Sequence, residues 1–402
     1  MNGNIEVLTF DTESATQLSL IRNIGEKGIN ITLCFFRKWS LNYLSKYVIS
    51  KIRVPNWNDY EEDFIDVLIS IGKENPNKYM IFSCSDYINS LIVKYYHELE
   101  KYFYFPFSNP LNIELLINKE LFYKKMSELD IKIPKTSFIS SVEHLEELFC
   151  TSNYPVIVKP KTIFNNMFFE LFHTKVIKIH SLKEYYEHKP SLIQVYDSIL
   201  VQEYIEGPVF SIYGYYKNGF LAYCTFKRDY SDLFGTSVLG HSIDSEELKL
   251  YAEQILSQIQ YDGFAELEFI YDTQDHSYKL LEINSRPTQW CRLLKYAAKT
   301  VESIPLEMIN SGNYLNTGES FEVKKDISIY YEGGLLELVK NKNLTFKEMI
   351  RHISRKNSFS MYYDKKDLVP SLKYRLHFIK SLIKWFVSYN KQGVFKYGSR
   401  NL

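Results

Sequence analysis

Gly263-Phe-Ala-Glu-Leu-Glu-Phe-Ile-Tyr-Asp272 and Tyr278-Lys-Leu-Leu-Glu-Ile-Asn-Ser285 are strand-length runs separated by Thr-Gln-Asp-His-Ser. Apolar and polar residues alternate in both, and a short polar turn between two such runs makes an antiparallel hairpin. If Asp272 pairs with Tyr278, Glu268 stands opposite Glu282, Glu266 opposite Asn284, Leu267 opposite Ile283 and Phe269 opposite Leu281. Strand side chains alternate between faces, so one face is apolar and the other gathers three carboxylates, an amide and, at its end, Arg286. Directly opposed like charges cost a sheet up to roughly 1 kcal/mol. A divalent cation reverses that sign, because Mg²⁺ is held by one or two carboxylates together with substrate phosphates. Glu268, Glu282 and the Asn284 carbonyl supply such oxygens, and Arg286 suits a γ-phosphate as a two-pronged donor. The alternative is a solvated polar face on an ordinary amphipathic hairpin, and spacing alone leaves both open.

Working outward, Lys159 closes the apolar strand Pro155–Val158, and Lys119 opens a helical stretch, Asn118–Leu129. A lysine at a strand end or helix start is placed to meet phosphate, although most lysines are merely solvated. The segment Leu200-Val-Gln-Glu-Tyr-Ile-Glu-Gly207 runs from an apolar strand into a polar turn. Backbone exposed there can read adenine with its own N–H and C=O, against the alternative of a plain strand end. The first 110 residues alternate strand candidates (Ile5–Phe10, Ile31–Phe36, Met80–Ser83) with helix candidates (Thr16–Lys27, Glu61–Ile71). That alternation predicts a parallel α/β sheet. No GxGxxG follows the first strand, so a dinucleotide site is not expected. Pro106–Pro110 interrupts the pattern as a boundary, and a helix over Ile113–Leu129 follows. Later, a helix is expected over Ser245–Gln260.

The chain has 402 residues, enough for two or three domains. Lys+Arg and Asp+Glu are equal at 48 each, which argues against wholesale nucleic-acid binding. Five cysteines (Cys34, Cys84, Cys150, Cys224, Cys291) lie scattered without CxxC spacing, and read as reduced, mostly buried thiols. No signal peptide and no apolar run of membrane-spanning length is read, so a cytoplasmic protein is expected. No histidines stand at HExxH spacing, and no Ser–His–Asp or Cys–His set is apparent. In the tail, Leu372, Leu376, Ile379, Ile383 and Phe386 recur at helical spacing among lysines and arginines. A helix over 372–389 either docks on its own domain or lies on an anionic membrane.

Taken in order, Asn118-Lys119, Pro155-Val-Ile-Val-Lys159-Pro, Gln202-Glu-Tyr-Ile205, Gly263-Phe-Ala-Glu-Leu-Glu268-Phe and Leu281-Glu282-Ile-Asn284-Ser-Arg286 resemble the blocks of the ATP-grasp superfamily. Phe226-Lys-Arg228 with Gly235-Thr236, and Asp367-Leu-Val-Pro370, narrow the resemblance to carboxylate–amine ligases of the D-aspartate-ligase-like kind. The resemblance implies an α/β (α+β) ATP-grasp fold. Its expected parts are an N-terminal Rossmann-like domain (1–112), a first grasp subdomain with a lid (113–200), a second, antiparallel-sheet subdomain carrying the metal site (201–320) and a C-terminal extension (321–402). It implies that Lys119 and Lys159 contact ATP phosphates, and that Gln202, Glu203, Tyr204 and Ile205 form the adenine hinge. Glu206 would stand in for an acidic ribose ligand, because Val209 occupies a position where relatives often carry one. Glu268, Glu282 and Asn284 would bind Mg²⁺, two ions with Mn²⁺ as a substitute. Arg286 would stabilise the transferring phosphoryl group, and Arg228 would orient the acyl phosphate or the carboxylate. The implied activity is activation of a small-molecule carboxylate as an acyl phosphate for attack by an amine. A small-molecule kinase or a nucleotide-binding pseudoenzyme are the competing readings. The segment Lys161–His173 departs from the family by lacking glycine, so coverage of the triphosphate is expected to differ or the segment to serve a substrate.

Overall fold

The computed structural model describes residues 5–75, 78–162, 166–232, 235–311 and 322–398. Three sheets organise them. The first is parallel, in the order β3-β2-β1-β4-β5, with β1 Val7–Phe10, β2 Ile31–Phe35, β3 Val48–Arg53, β4 Tyr79–Phe82 and β5 Phe103–Tyr104. Strands β1 and β2 are buried along their whole length, as near-continuous apolar runs in a parallel sheet are. Helix Ala15–Gly25 follows β1, with Ser14 as its N-cap accepting from the Gln17 N–H. Helix Asp86–Lys94 follows β4 and is capped in the same way by Ser85.

The expected helix Ile113–Leu129 is two helices, Pro110–Ile117 and Lys119–Glu128. Asn118 breaks it: its backbone turns extended, and its Oδ1 accepts from the Glu120 and Leu121 N–H groups as an N-cap. The second sheet is small and antiparallel, in the order β6-β9-β7-β8, with β6 Thr136–Phe138, β7 Val156–Pro160, β8 Ile177–Ile179 and β9 Ile199–Glu203. Strand β9 extends past residue 200, so the hinge residues Gln202 and Glu203 belong to this sheet.

The third sheet runs β14-β13-β10-β11-β12-β15-β16: β10 Val209–Tyr216, β11 Phe220–Ser231, β12 Ser237–Ile243, β13 Gly263–Asp272, β14 Ser277–Asn284, β15 Ser328–Tyr330 and β16 Ser358–Ser360. Its last two strands come from the C-terminal extension, which is thereby part of the fold. Helix Glu246–Gln258 packs Leu248, Ala252, Ile255 and Leu256 onto the apolar face of the hairpin, against Leu267, Phe269, Leu280 and Ile283. Each of the Leu, Ile and Phe side chains fully removed from water contributes about 1.5–3 kcal/mol, and Ala252 less.

The hairpin register holds at Glu266–Asn284, Leu267–Ile283 and Glu268–Glu282, then shifts. Phe269 pairs with Leu280 rather than Leu281, and Asp272 with Ser277 rather than Tyr278. Leu281 is the extra residue of a β-bulge. The apolar run Leu280-Leu281 offers two candidates for one inward position, and Leu280 takes it with complete burial.

Candidate functional site

One cavity of about 1150 Å³ lies between the three sheets. Its lining includes Lys119, Lys159, Gln202, Glu203, Tyr204, Ile205, Arg228, Glu268, Glu282, Asn284 and Arg286. Eleven of the twelve site residues expected from sequence are thus brought together. Glu206 is the exception: it is exposed and does not line the cavity, because the chain turns outward after the buried Ile205.

The polar face of the third sheet forms the floor. Glu268 and Glu282 oppose each other, and Arg228 reaches across β10 to place Nη2 2.7 Å from Glu268 Oε2. Burial raises the Glu268 carboxyl while Arg228 pulls it down, and the net direction is upward. Glu266, deeper still, is pushed well above the usual carboxylate range by burial and by Glu268. Burial also pushes Glu282 up, but Lys119 and Lys159 outweigh it and hold this carboxyl below its ordinary value. The floor therefore contains carboxylates with opposed tendencies, as functional sites often do.

The opposite wall begins with Lys159. Its Nζ donates to the Tyr123 hydroxyl at 2.7 Å, and that hydroxyl donates to the Leu281 carbonyl at 2.5 Å. The bulge presents this carbonyl. Burial lowers Lys159 to about 8, with Glu282 and Glu268 pulling the other way. The Lys119 N–H donates to the Lys161 carbonyl at 2.9 Å, tying the helix start to the end of β7.

The hinge is held from both sides. Gln202 is buried and its Nε2 donates to Thr136 Oγ1 at 2.6 Å. The Glu203 carboxylate accepts from the Lys135 N–H at 2.9 Å and faces Lys279 Nζ at 3.3 Å, so its charge is already matched within the protein. Lys178 Nζ sits 3.3 Å above the Tyr204 ring centre. In the glycine-free segment, helix Asn166–Phe172 buries Phe168 and sets Phe168 and Phe169 on the cavity wall. Residues 163–165 of that segment lie outside the described residues.

Arg286 is gripped by a residue the sequence reading missed. Its Nε and Nη2 each donate at 2.7 Å to the two oxygens of Asp86, the first residue of the helix after β4. Burial lowers Arg286, but Asp86 more than compensates and holds it above its ordinary value. The available signal was position, since ligands collect beyond the carboxyl ends of parallel strands. Tyr123 and Lys279 were missed too; their roles depend on packing between elements far apart in sequence.

Among the described residues, no group of three or more His, Cys, Asp and Glu side chains is arranged to hold a metal ion. The expected ligands Glu268, Glu282 and Asn284 fit Mg²⁺ only as a partial set completed by phosphate oxygens, the usual arrangement for this ion. Glu266 Oε1, Arg228 Nε and Ser211 Oγ are buried on this floor without a hydrogen-bond partner. Buried polar atoms are rarely left so, and a cation with its anionic ligand would meet that deficit.

No family model matches the chain. D-aspartate ligase of Enterococcus faecium is 27% identical over 250 residues, covering 57% of this chain and 59% of that protein. The chain therefore spans about three fifths of the length of this curated relative. Among solved structures, the L-amino acid ligase of Bacillus licheniformis superposes with a TM-score of 0.61 at 15% identity, over 79% of this chain and 78% of that one. The N5-carboxyaminoimidazole synthetase of Staphylococcus aureus, complexed with ADP, does so with 0.63 at 15% identity, over 86% and 87%. The fold is the ATP-grasp fold, as the ordered blocks implied.

Proposed function

We propose that the chain is an ATP- and Mg²⁺-dependent carboxylate–amine ligase that forms an amide or peptide bond. The observation that carries this is the convergence of Lys119, Lys159, Glu268, Glu282, Asn284 and Arg286 on one cavity beside the Gln202–Ile205 hinge. The likeness to a D-aspartate ligase and an L-amino acid ligase supports it, and favours an amino acid as one substrate.

An amine does not displace oxide from a carboxylate at neutral pH. In the proposed reaction a substrate carboxylate oxygen attacks the γ-phosphorus of ATP and ADP leaves. The amine then attacks the acyl carbon, inorganic phosphate departs and the amine loses a proton. The protein supplies positioning and charge rather than a nucleophile. Lys119 and Lys159 would hold phosphate oxygens, and backbone of Gln202 to Ile205 the adenine. Asp86 fixes the Arg286 guanidinium, which leaves Nη1 to meet the phosphoryl oxygens. Arg228 would pass from Glu268 to the substrate carboxylate. Glu268, Glu282 and Asn284 would hold Mg²⁺, two ions in the full form with Mn²⁺ as a substitute; bound there, the metal neutralises developing phosphate charge. Phe168 and Phe169 would help keep water from the acyl phosphate.

The test is release of ADP and orthophosphate by the purified chain with ATP, Mg²⁺ and a panel of amino acids and amines that includes both aspartate enantiomers. Release that needs an acid and an amine together is expected. A stable phosphorylated product would instead make the site a kinase, and no turnover across the panel would leave a nucleotide-binding pseudoenzyme. Glu282→Gln is expected to lower turnover about 10²- to 10³-fold.

A further inference from the structure

Over residues 368–387 the long helix Leu368–Gly398 presents two apolar faces, one packed on the fold and the other exposed. Ser371 and Tyr374 are buried, and Phe378, Leu382 and Trp385 pack on the cluster that contains Val238, Leu335 and Leu336. Trp385 also stacks on Phe346. The other face carries Leu372, Leu376, Ile379 and Ile383, which are 52%, 61%, 49% and 57% exposed. At about 100° per residue these four fall within an arc of roughly 60°, and exposed Val369 and Val387 border it. Exposed Lys373, Lys380 and Lys384 line one edge of this stripe.

A second element continues the same surface. Lys373 Nζ donates to the Trp39 carbonyl, which places the loop Arg37-Lys38-Trp39 beside the first turns of the helix. All three of its residues are exposed, and the Trp39 side chain is 64% exposed. Aliphatic residues in a stripe, a tryptophan at its end and lysines along its edge are the composition of a surface that lies in the interface of an anionic bilayer. Among the described residues no helix is long and apolar enough to cross a membrane.

We propose that the outward stripe of helix Leu368–Gly398, together with Trp39, docks the protein on an anionic lipid bilayer. The lysines attract the headgroups and the aliphatic stripe enters the acyl boundary. The charge pattern favours lipid over a second copy of the chain, because a self-complementary contact would bring two lysine-edged stripes together.

The test is co-sedimentation of the full chain with vesicles of phosphatidylcholine alone or mixed with phosphatidylglycerol. Binding is expected only to the anionic vesicles, weakening in high salt by about fivefold for each basic residue engaged. Leu376→Glu with Ile383→Glu is expected to reduce binding about tenfold or more, with an unchanged thermal unfolding profile. Trp39→Ser, on a separate element, is expected to weaken it independently. Failure to bind anionic vesicles would overturn the proposal, as would binding that survives both variants. A dimer in sedimentation velocity that the double variant breaks, with no vesicle binding, would assign the stripe to a contact between copies.

Discussion

Lys159 is charged at neutral pH only narrowly. Burial holds it at about 8 against the upward pull of Glu282 and Glu268, so above that pH the free protein loses one of the cations lining the cavity. Since kcat/KM reports the free enzyme, kcat/KM for ATP is expected to fall as pH rises through about 8, approaching tenfold per pH unit. A bound triphosphate adds negative charge beside the ammonium, so the corresponding fall in kcat lies at higher pH. Lys159→Arg keeps its charge throughout and removes the limb, whatever its cost in rate. A limb that persists in that variant would assign the titration to another group. Lys159 was legible as a strand-end lysine, but its depressed pKa was not. That property comes from burial, which only the fold creates and which the upward pull of Glu282 and Glu268 offsets in part.

Elements were legible where one period ran unbroken. Strands β13 and β14 alternate over Glu266–Glu268 and Glu282–Asn284, so their register near the site could be read, with Glu268 on Glu282. The bulge at Leu281 could not, because two adjacent leucines satisfy the same pattern and only the shape of the core chooses between them. Contacts between elements were less legible still, and Glu302 is an example. It is fully buried, with Oε2 accepting from Asn23 on helix Ala15–Gly25 and Oε1 facing the Tyr213 hydroxyl on β10 at 3.3 Å. Burial raises its carboxyl to about 7, from 4.5. A group whose folded pKa exceeds its unfolded value stabilises fully below the unfolded value, and that contribution is lost as pH rises through the folded one. The folded protein is therefore expected to lose stability between about pH 4.5 and 7, by about 3 kcal/mol from this group alone. Glu302→Gln keeps one carbonyl acceptor for Asn23 and offers an N–H to the Tyr213 hydroxyl oxygen in place of the second acceptor, and it should flatten that slope in urea titrations across the range. An unchanged slope would show that Glu302 ionises freely in the fold.

The whole molecule is closed by charges the sequence reading left unassigned. Arg22, in the first helix, is completely buried, with Nε 2.9 Å from Asp367 Oδ2. Nη1 donates to the Tyr362 carbonyl at 2.8 Å, and Nη2 to Ser371 Oγ at 3.1 Å. Asp367 accepts further from Ser45 Oγ and the Lys46 N–H. Arg292 and Asp364 repeat the arrangement at 2.8 Å nearby. The first pair fastens the C-terminal extension to the helix after β1 and the second to helix Cys291–Ala297 beyond β14, and together they set the start of the helix whose outer stripe is left exposed. Removing one partner of a buried pair leaves an uncompensated charge and costs about 3–5 kcal/mol, whereas replacing both with apolar residues costs far less. Arg22→Met is expected to lower the unfolding free energy by that amount, and Arg22→Met with Asp367→Leu to recover a substantial part of it. Because the pair joins the two ends of the chain, unfolding of the single variant followed by circular dichroism should remain one transition at lower denaturant. A separate early transition, carrying the helical signal of residues 368–398 alone, would instead show that the extension comes away by itself and that the clamp serves only the tail.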